Sequence, residues 1–75
     1  MDDYPVVDVS SSVINKVGYD YKSEDLFIEF KNGKQALYFS VPEHEFEALK
    51  NAKSVGTYFI EEIRDEYDFT DITKK

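Results

Sequence analysis

The chain contains no cysteine. This excludes a disulfide framework and a thiolate zinc site, and it fits a reducing compartment, so a cytoplasmic location is expected. Long apolar runs are also missing, and no membrane-spanning helix is expected. The opening residues, MDDYPVVDV, are acidic and lack the positive stretch and apolar core of a secretory signal. Basic residues are few. Nine Lys and Arg stand against 16 Asp and Glu, for a formal charge of −7. Affinity for nucleic acid rests largely on counterion release by Lys and Arg, so generic nucleic-acid binding is disfavoured and only a local basic patch leaves room for it. Histidine occurs once, at His44 between Glu43 and Glu45. Glu47 could pair with it at i+3, but nothing completes a metal-ligand set, and a solvated surface side chain is expected. No histidine accompanies a serine nucleophile, and no glycine loop is built to cradle phosphate. Neither catalysis nor a cofactor is expected.

What the chain does have is aromatic: six Tyr and six Phe in 75 residues. A single domain this short has a modest core and needs large buried area per residue. The acidic charge is uneven. Residues 1–25 carry −4, residues 26–42 carry +1 and residues 43–75 carry −4. The middle is therefore the least acidic part.

Residues 1–8 read as an N-terminal arm, punctuated by Pro5, whose valines could form a short edge strand. In residues 12–21, SVINKVGYDY, strict alternation places Val13, Asn15, Val17, Tyr19 and Tyr21 on one face of a strand, and KSED then turns the chain. The sharpest local signal is LFIEFK-NG-KQALYFSV, residues 26–41. Two alternating runs around Asn-Gly predict a hairpin with a two-residue type I′ loop. That loop pairs Phe27 with Tyr38 and Leu26 with Phe39. It gives a core face of Leu26, Ile28, Phe30, Leu37, Phe39 and Val41, and an opposite face that includes Phe27, Glu29, Lys31, Lys34, Ala36 and Tyr38. A slip of one residue would exchange the faces.

Pro42 suits a helix start, Glu43, Glu45 and Glu47 suit its positive end, and Phe46 and Leu49 give it an apolar stripe. A helix over 42–52 follows. Ser54 is placed to cap a second helix over 55–67, in which Val55, Phe59, Ile63 and Tyr67 recur at i+4. Residues 70–75 read as a loose tail. Strands in a run, then helices in a run, predict an α+β domain over 9–69: a three-stranded antiparallel meander, plus a possible N-terminal edge strand, with two helices packed on one face.

Taken in order, these pieces resemble the KTSC domain, a short family named after the C-terminus of some lysyl-tRNA synthetases and found also as stand-alone bacterial and phage proteins. The resemblance runs over Val9-Ser10-Ser11, then Val17-Gly18-Tyr19, LFIEF, the turn at Gly33 and a strand ending in Val41-Pro42. It continues through Ala52, Ser54 and Gly56, and ends on Tyr58-Phe59, Ile63-Arg64 and Tyr67. The resemblance implies little about activity beyond the RNA binding that has been suggested for the family. The family's Tyr-x-Tyr motif falls on Ala36 and Tyr38, so its first Tyr is missing, and the Asn that often follows the aromatic pair is Ile60.

Two candidate sites follow. With helices on one face only, Phe27 and Tyr38 form an aromatic platform for single-stranded bases, flanked by Lys31 and Lys34. The plainer alternative is a cross-strand aromatic pair that stabilises a thin sheet. The second candidate is the start of the second helix, where Lys53, Ser54, Gly56 and Thr57, with Arg64 two turns on, could hold an anion. The alternative there is a capped helix in which Gly56 permits close packing. The expected partner is RNA or single-stranded nucleic acid, or else a protein bound through the acidic helical face or the aromatic sheet face.

Overall fold

The structure, a computed structural model, describes residues 6–9 and 11–73. Five antiparallel strands form one sheet in sequence order: β1 (Val6–Asp8), β2 (Ile14–Asp20), β3 (Asp25–Phe30), β4 (Gln35–Tyr38) and β5 (Phe69–Asp71). Between β4 and β5 lie α1 (Glu43–Lys50) and α2 (Val55–Tyr58), and α2 continues as a π-helical turn over Phe59–Ile63. The fold class is α+β as expected, with both helices on one face of the sheet. The core joins Ile14, Val17, Tyr19, Leu26, Ile28, Ala36 and Tyr38 of the sheet to Phe46, Leu49, Val55, Phe59 and Ile63 above it.

Three expectations need correction. The first concerns the hairpin. β3 and β4 pair as Leu26 with Tyr38, Phe27 with Leu37 and Ile28 with Ala36. This is one residue away from the two-residue loop. The loop holds three residues, Lys31, Asn32 and Gly33. It is closed by Phe30 N–H to Lys34 O at 2.8 Å, with Gly33 N–H to Phe30 O at 3.0 Å and Gly33 at φ 92°. Asn-Gly serves this turn equally well, because a type I turn followed by a left-handed residue also closes a hairpin. Asn32 Oδ1 accepts from Lys34 N–H at 2.9 Å and stiffens it. The shift carries Ala36 and Tyr38 into the core and moves Leu37 to the outer face.

The second concerns β2. Its pairing to β3 shifts between Ile14 and Lys16, leaving an extra residue at Asn15. This bulge changes the phase, so that Ile14 and Val17 are both buried while Val13 is exposed. The third concerns the ends. The arm does supply an edge strand, β1, on β2. The ordered domain does not stop at Phe69, after which the loose tail was expected to begin: Thr70 and Asp71 pair with Leu37 and Ala36, and Ile72 N–H reaches Gln35 O at 3.0 Å. Met1 to Pro5, Ser10, Lys74 and Lys75 lie outside the described residues.

Both helices are shorter than their apolar patterns suggest. Pro42 stands just before α1, and buried Phe46 and Leu49 seat the helix on the sheet. Ser54 caps α2, its Oγ accepting from Thr57 N–H at 3.3 Å. After Tyr58 the helix widens, and Arg64 N–H bonds five residues back to Phe59 O at 2.8 Å. From there the chain turns towards β5.

Candidate binding groove

A groove of about 520 Å³ opens between the far end of the second helix and the β4–β5 edge. Ala36 and Tyr38 of β4 form its floor. Phe59, Ile60, Arg64 and Asp65 form the helical wall, and Phe69 of β5 stands opposite; Val13 and Phe30 complete the lining. The aromatic rings brace one another. Tyr38 stacks on Phe69 with centroids 4.9 Å apart and meets Phe59 edge-on at 5.5 Å, while Phe30 meets Phe59 at 5.5 Å. Three exposed hydrophobic side chains converge on this one place: Phe69 at 54% exposure, Ile60 at 41% and Val13 at 38%. Single exposed apolar residues are ordinary, but a cluster around a concavity marks a contact surface.

The polar groups of the groove are few. Tyr38 is only 3% exposed, and its hydroxyl makes no hydrogen bond to a described residue. No buried side-chain oxygen among the described residues lacks a partner, so this hydroxyl keeps contact with solvent at the groove. Burial raises the phenol's pKa, Arg64 opposes that rise and Asp65 adds to it. Among the described residues Arg64 has one ion pair, to its sequence neighbour Asp65 at 3.4 Å, with both side chains more than half exposed. Such a pair contributes little and leaves the guanidinium available. The groove can therefore hold an apolar group with a hydrogen-bond acceptor beside it.

The proposed aromatic platform does not form. Phe27 and Tyr38 lie on opposite faces of the sheet. Tyr38 is inside, under Phe59, whereas Phe27 is half-buried on the outer face beside Gly18 and Leu37. The shifted hairpin register is the cause. Lys31 and Lys34 sit exposed at the hairpin tip. Lys31 also borders a shallow polar depression of about 690 Å³ with Asp8, Val9, Ser11 and Ser12, which has no aromatic wall.

The helix start is capped and covered. A Cβ on Gly56 would come within 3.2 Å of Ser11 Oγ and 3.3 Å of Val13 Cβ, so the glycine admits the 11–13 segment and leaves no space for a ligand. Ser11 Oγ in turn accepts from Val13 and Ile14 N–H, both at 3.1 Å. Ser54 Oγ also bonds Thr57 Oγ1 at 3.0 Å. Lys53 is exposed and lines no part of the groove; Arg64 does. The two halves of the expected anion site are thus separate, with Val13 touching both. His44 is exposed on α1, and the described residues contain no His, Asp and Glu cluster able to hold a metal.

The sequence reading missed two features. One is a tyrosine clamp: Tyr58 and Tyr67 donate to the two oxygens of Glu45 at 2.5 and 3.1 Å, tying α1 to the second helix and its exit. The Glu45 acceptor pushes the Tyr58 pKa up to about 12, and burial followed by Glu45 raises that of Tyr67. The other is the groove wall. Its one visible signal was Ile60, an apolar residue that flanks the helix stripe beside the solvent-facing Glu61 and Glu62.

Comparison with known proteins adds the following. The model of the KTSC domain family matches residues 10–67. A lysine–tRNA ligase from Nostoc punctiforme is 34% identical over 70 residues, which span 93% of this chain and 12% of that protein. A protein from Tsukamurella paurometabola is 38% identical over 50 residues, 67% of this chain and 75% of that one. The crystal structure of a KTSC domain protein from Yersinia pestis superposes with a TM-score of 0.89 at 30% identity, covering 92% of this chain and 97% of its own. The chain thus spans about an eighth of the ligase and most of the two smaller relatives.

Proposed function

This chain belongs to the KTSC domain family, and within it we propose a small, non-catalytic cytoplasmic binding module that engages another protein through the groove beside β5. The observation that carries this reading is the convergence of exposed Val13, Ile60 and Phe69 on one concavity with a single guanidinium at its rim. An apolar contact surface suits a protein partner, and a net charge of −7 works against a nucleic-acid backbone. Among the described residues that line the groove, the titratable groups are Tyr38, Arg64 and Asp65. That set has no obvious nucleophile with a base beside it.

A second reading, RNA or single-stranded nucleic acid, is favoured by one observation: the similarity to part of a lysine–tRNA ligase. In that case the contacts would be Phe27 on the outer face with Lys31 and Lys34 at the hairpin tip, and Tyr38 would take no part. Photo-crosslinking from position 60 and, separately, from position 34 in a bacterial lysate decides between the two. Protease-sensitive adducts at 60 that are resistant to nuclease support the groove and a protein partner. Nuclease-sensitive adducts at 34, with none at 60, would replace it with the second reading.

A further inference from the structure

The groove presents two solvent-facing donor groups, the Tyr38 hydroxyl and the Arg64 guanidinium. Tyr38 is almost fully buried, yet its hydroxyl has no partner among the described residues. The ring is buried but the hydroxyl itself opens to solvent at the groove, where a bound acceptor can take the place of water. The other donor is Arg64, whose one ion pair is the weak contact with its sequence neighbour. Both act as donors here: a guanidinium has no acceptor, and a phenol with a raised pKa stays protonated. Their common complement is a carboxylate, which only accepts. Around them stand Phe59, Ile60 and Phe69, which suit an apolar side chain.

We propose that the groove receives the free C-terminus of a partner protein, with the terminal carboxylate between the Tyr38 hydroxyl and Arg64 and the last side chain, large and apolar, against Phe59, Ile60 and Phe69. This rests on the protein-partner reading above. A terminal residue carries its carboxylate and its side chain on the same Cα. One groove of about 520 Å³ can therefore take both. Charge narrows the choice further. The chain is at −7, and Asp65 stands at the rim, so a partner segment with several acids would be repelled. A single carboxylate preceded by basic residues is complementary.

The test is a titration of the whole isotope-labelled chain, followed by NMR, with acetyl-Lys-Lys-Ala-Phe as the free acid and as the C-terminal amide. The expected result is that the free acid shifts the amides of residues 36–38, 59–65 and 69, and that the amide form binds roughly tenfold or more weakly. In Tyr38→Phe, which keeps the ring packing, and in Arg64→Gln, on an exposed side chain, the acid and amide should bind within about twofold of each other. Equal binding of acid and amide to the unsubstituted chain, or no shifts from either at ~1 mM, would overturn the proposal. So would a short oligonucleotide that shifts the same groove residues. If the peptides fail while protein adducts still form at position 60, the C-terminal specificity is lost and the protein-partner reading stands. If those adducts are missing as well, both fall.

Discussion

The two ends of the second helix differ in what they leave unfinished. At its start every local requirement is met from within. Ser54 caps the helix, Gly56 lets Ser11 and Val13 approach, and Ser11 is itself fastened to the backbone of residues 13 and 14. At its far end the helix widens into a π-helical turn, exposes Ile60 and Arg64, and leaves the Tyr38 hydroxyl facing solvent with no hydrogen bond to a described residue. The first end has the motif-like residues and is closed. The second has ordinary residues and is open. A helix start rich in Ser, Gly and Thr is thus a poor guide to a ligand until its neighbours are known.

Substitutions can break this contrast, and the largest effect belongs to the side chain that serves both core and groove. Phe59→Ala removes a ring that packs on Phe30 and Tyr38, and should cost about 3–5 kcal/mol, enough to unfold much of so small a domain. Ile60→Ser, one residue on but exposed, should change stability by about 0.5 kcal/mol or less while removing groove contacts. Urea unfolding of the pair measures the split. At the closed end, Gly56→Val should cost about 1–3 kcal/mol, because its side chain meets Ser11 and Val13 at contacts already tight for one Cβ. A melting temperature unchanged by this substitution would mean that the helix start has free space after all.

A smaller effect sharpens the contrast through two tyrosines. Tyr19 donates to Val41 O at 2.5 Å in the core, so Tyr19→Phe orphans a buried carbonyl and should cost about 1–3 kcal/mol. Tyr38→Phe loses no internal bond and should cost about 0.5 kcal/mol or less. Equal losses in thermal unfolding would show that the Tyr38 hydroxyl is already satisfied. The smallest effect is in pH. The folded pKa of Tyr58 is about 12, against 10.0 ordinarily, so the unfolded chain ionises first as pH rises. The contribution from Tyr58 is complete below pH 10 and is lost as pH climbs towards 12. Tyr58→Phe should therefore flatten the fall in stability across that window, followed by denaturant unfolding at successive pH values.

Much of the architecture was legible because local chemistry expressed it. Asn-Gly marked a hairpin, Ser54 marked a cap, and the run of strands followed by helices marked the class. The groove was not legible. Phe30, Phe59 and Phe69 are far apart in sequence, and each alone reads as core or tail. The tail itself becomes a strand because Phe69 stacks on Tyr38 and the 70–72 backbone finds β4, which no local propensity announces.

By itself the sequence determined the acidic charge, the absence of thiol chemistry, the run of three central strands followed by two helices and the place of the hairpin turn, since these depend on residues close together in the chain. The tertiary structure decided which face each side chain takes. Asn-Gly permits two loop lengths of similar local energy, and strict alternation permits a bulge at Asn15. The choice rested on packing: Tyr38 finds Phe59 and Phe69 in one register and not in the other, and that one-residue difference moved the candidate site from the outer face of the sheet to the groove beneath the helix.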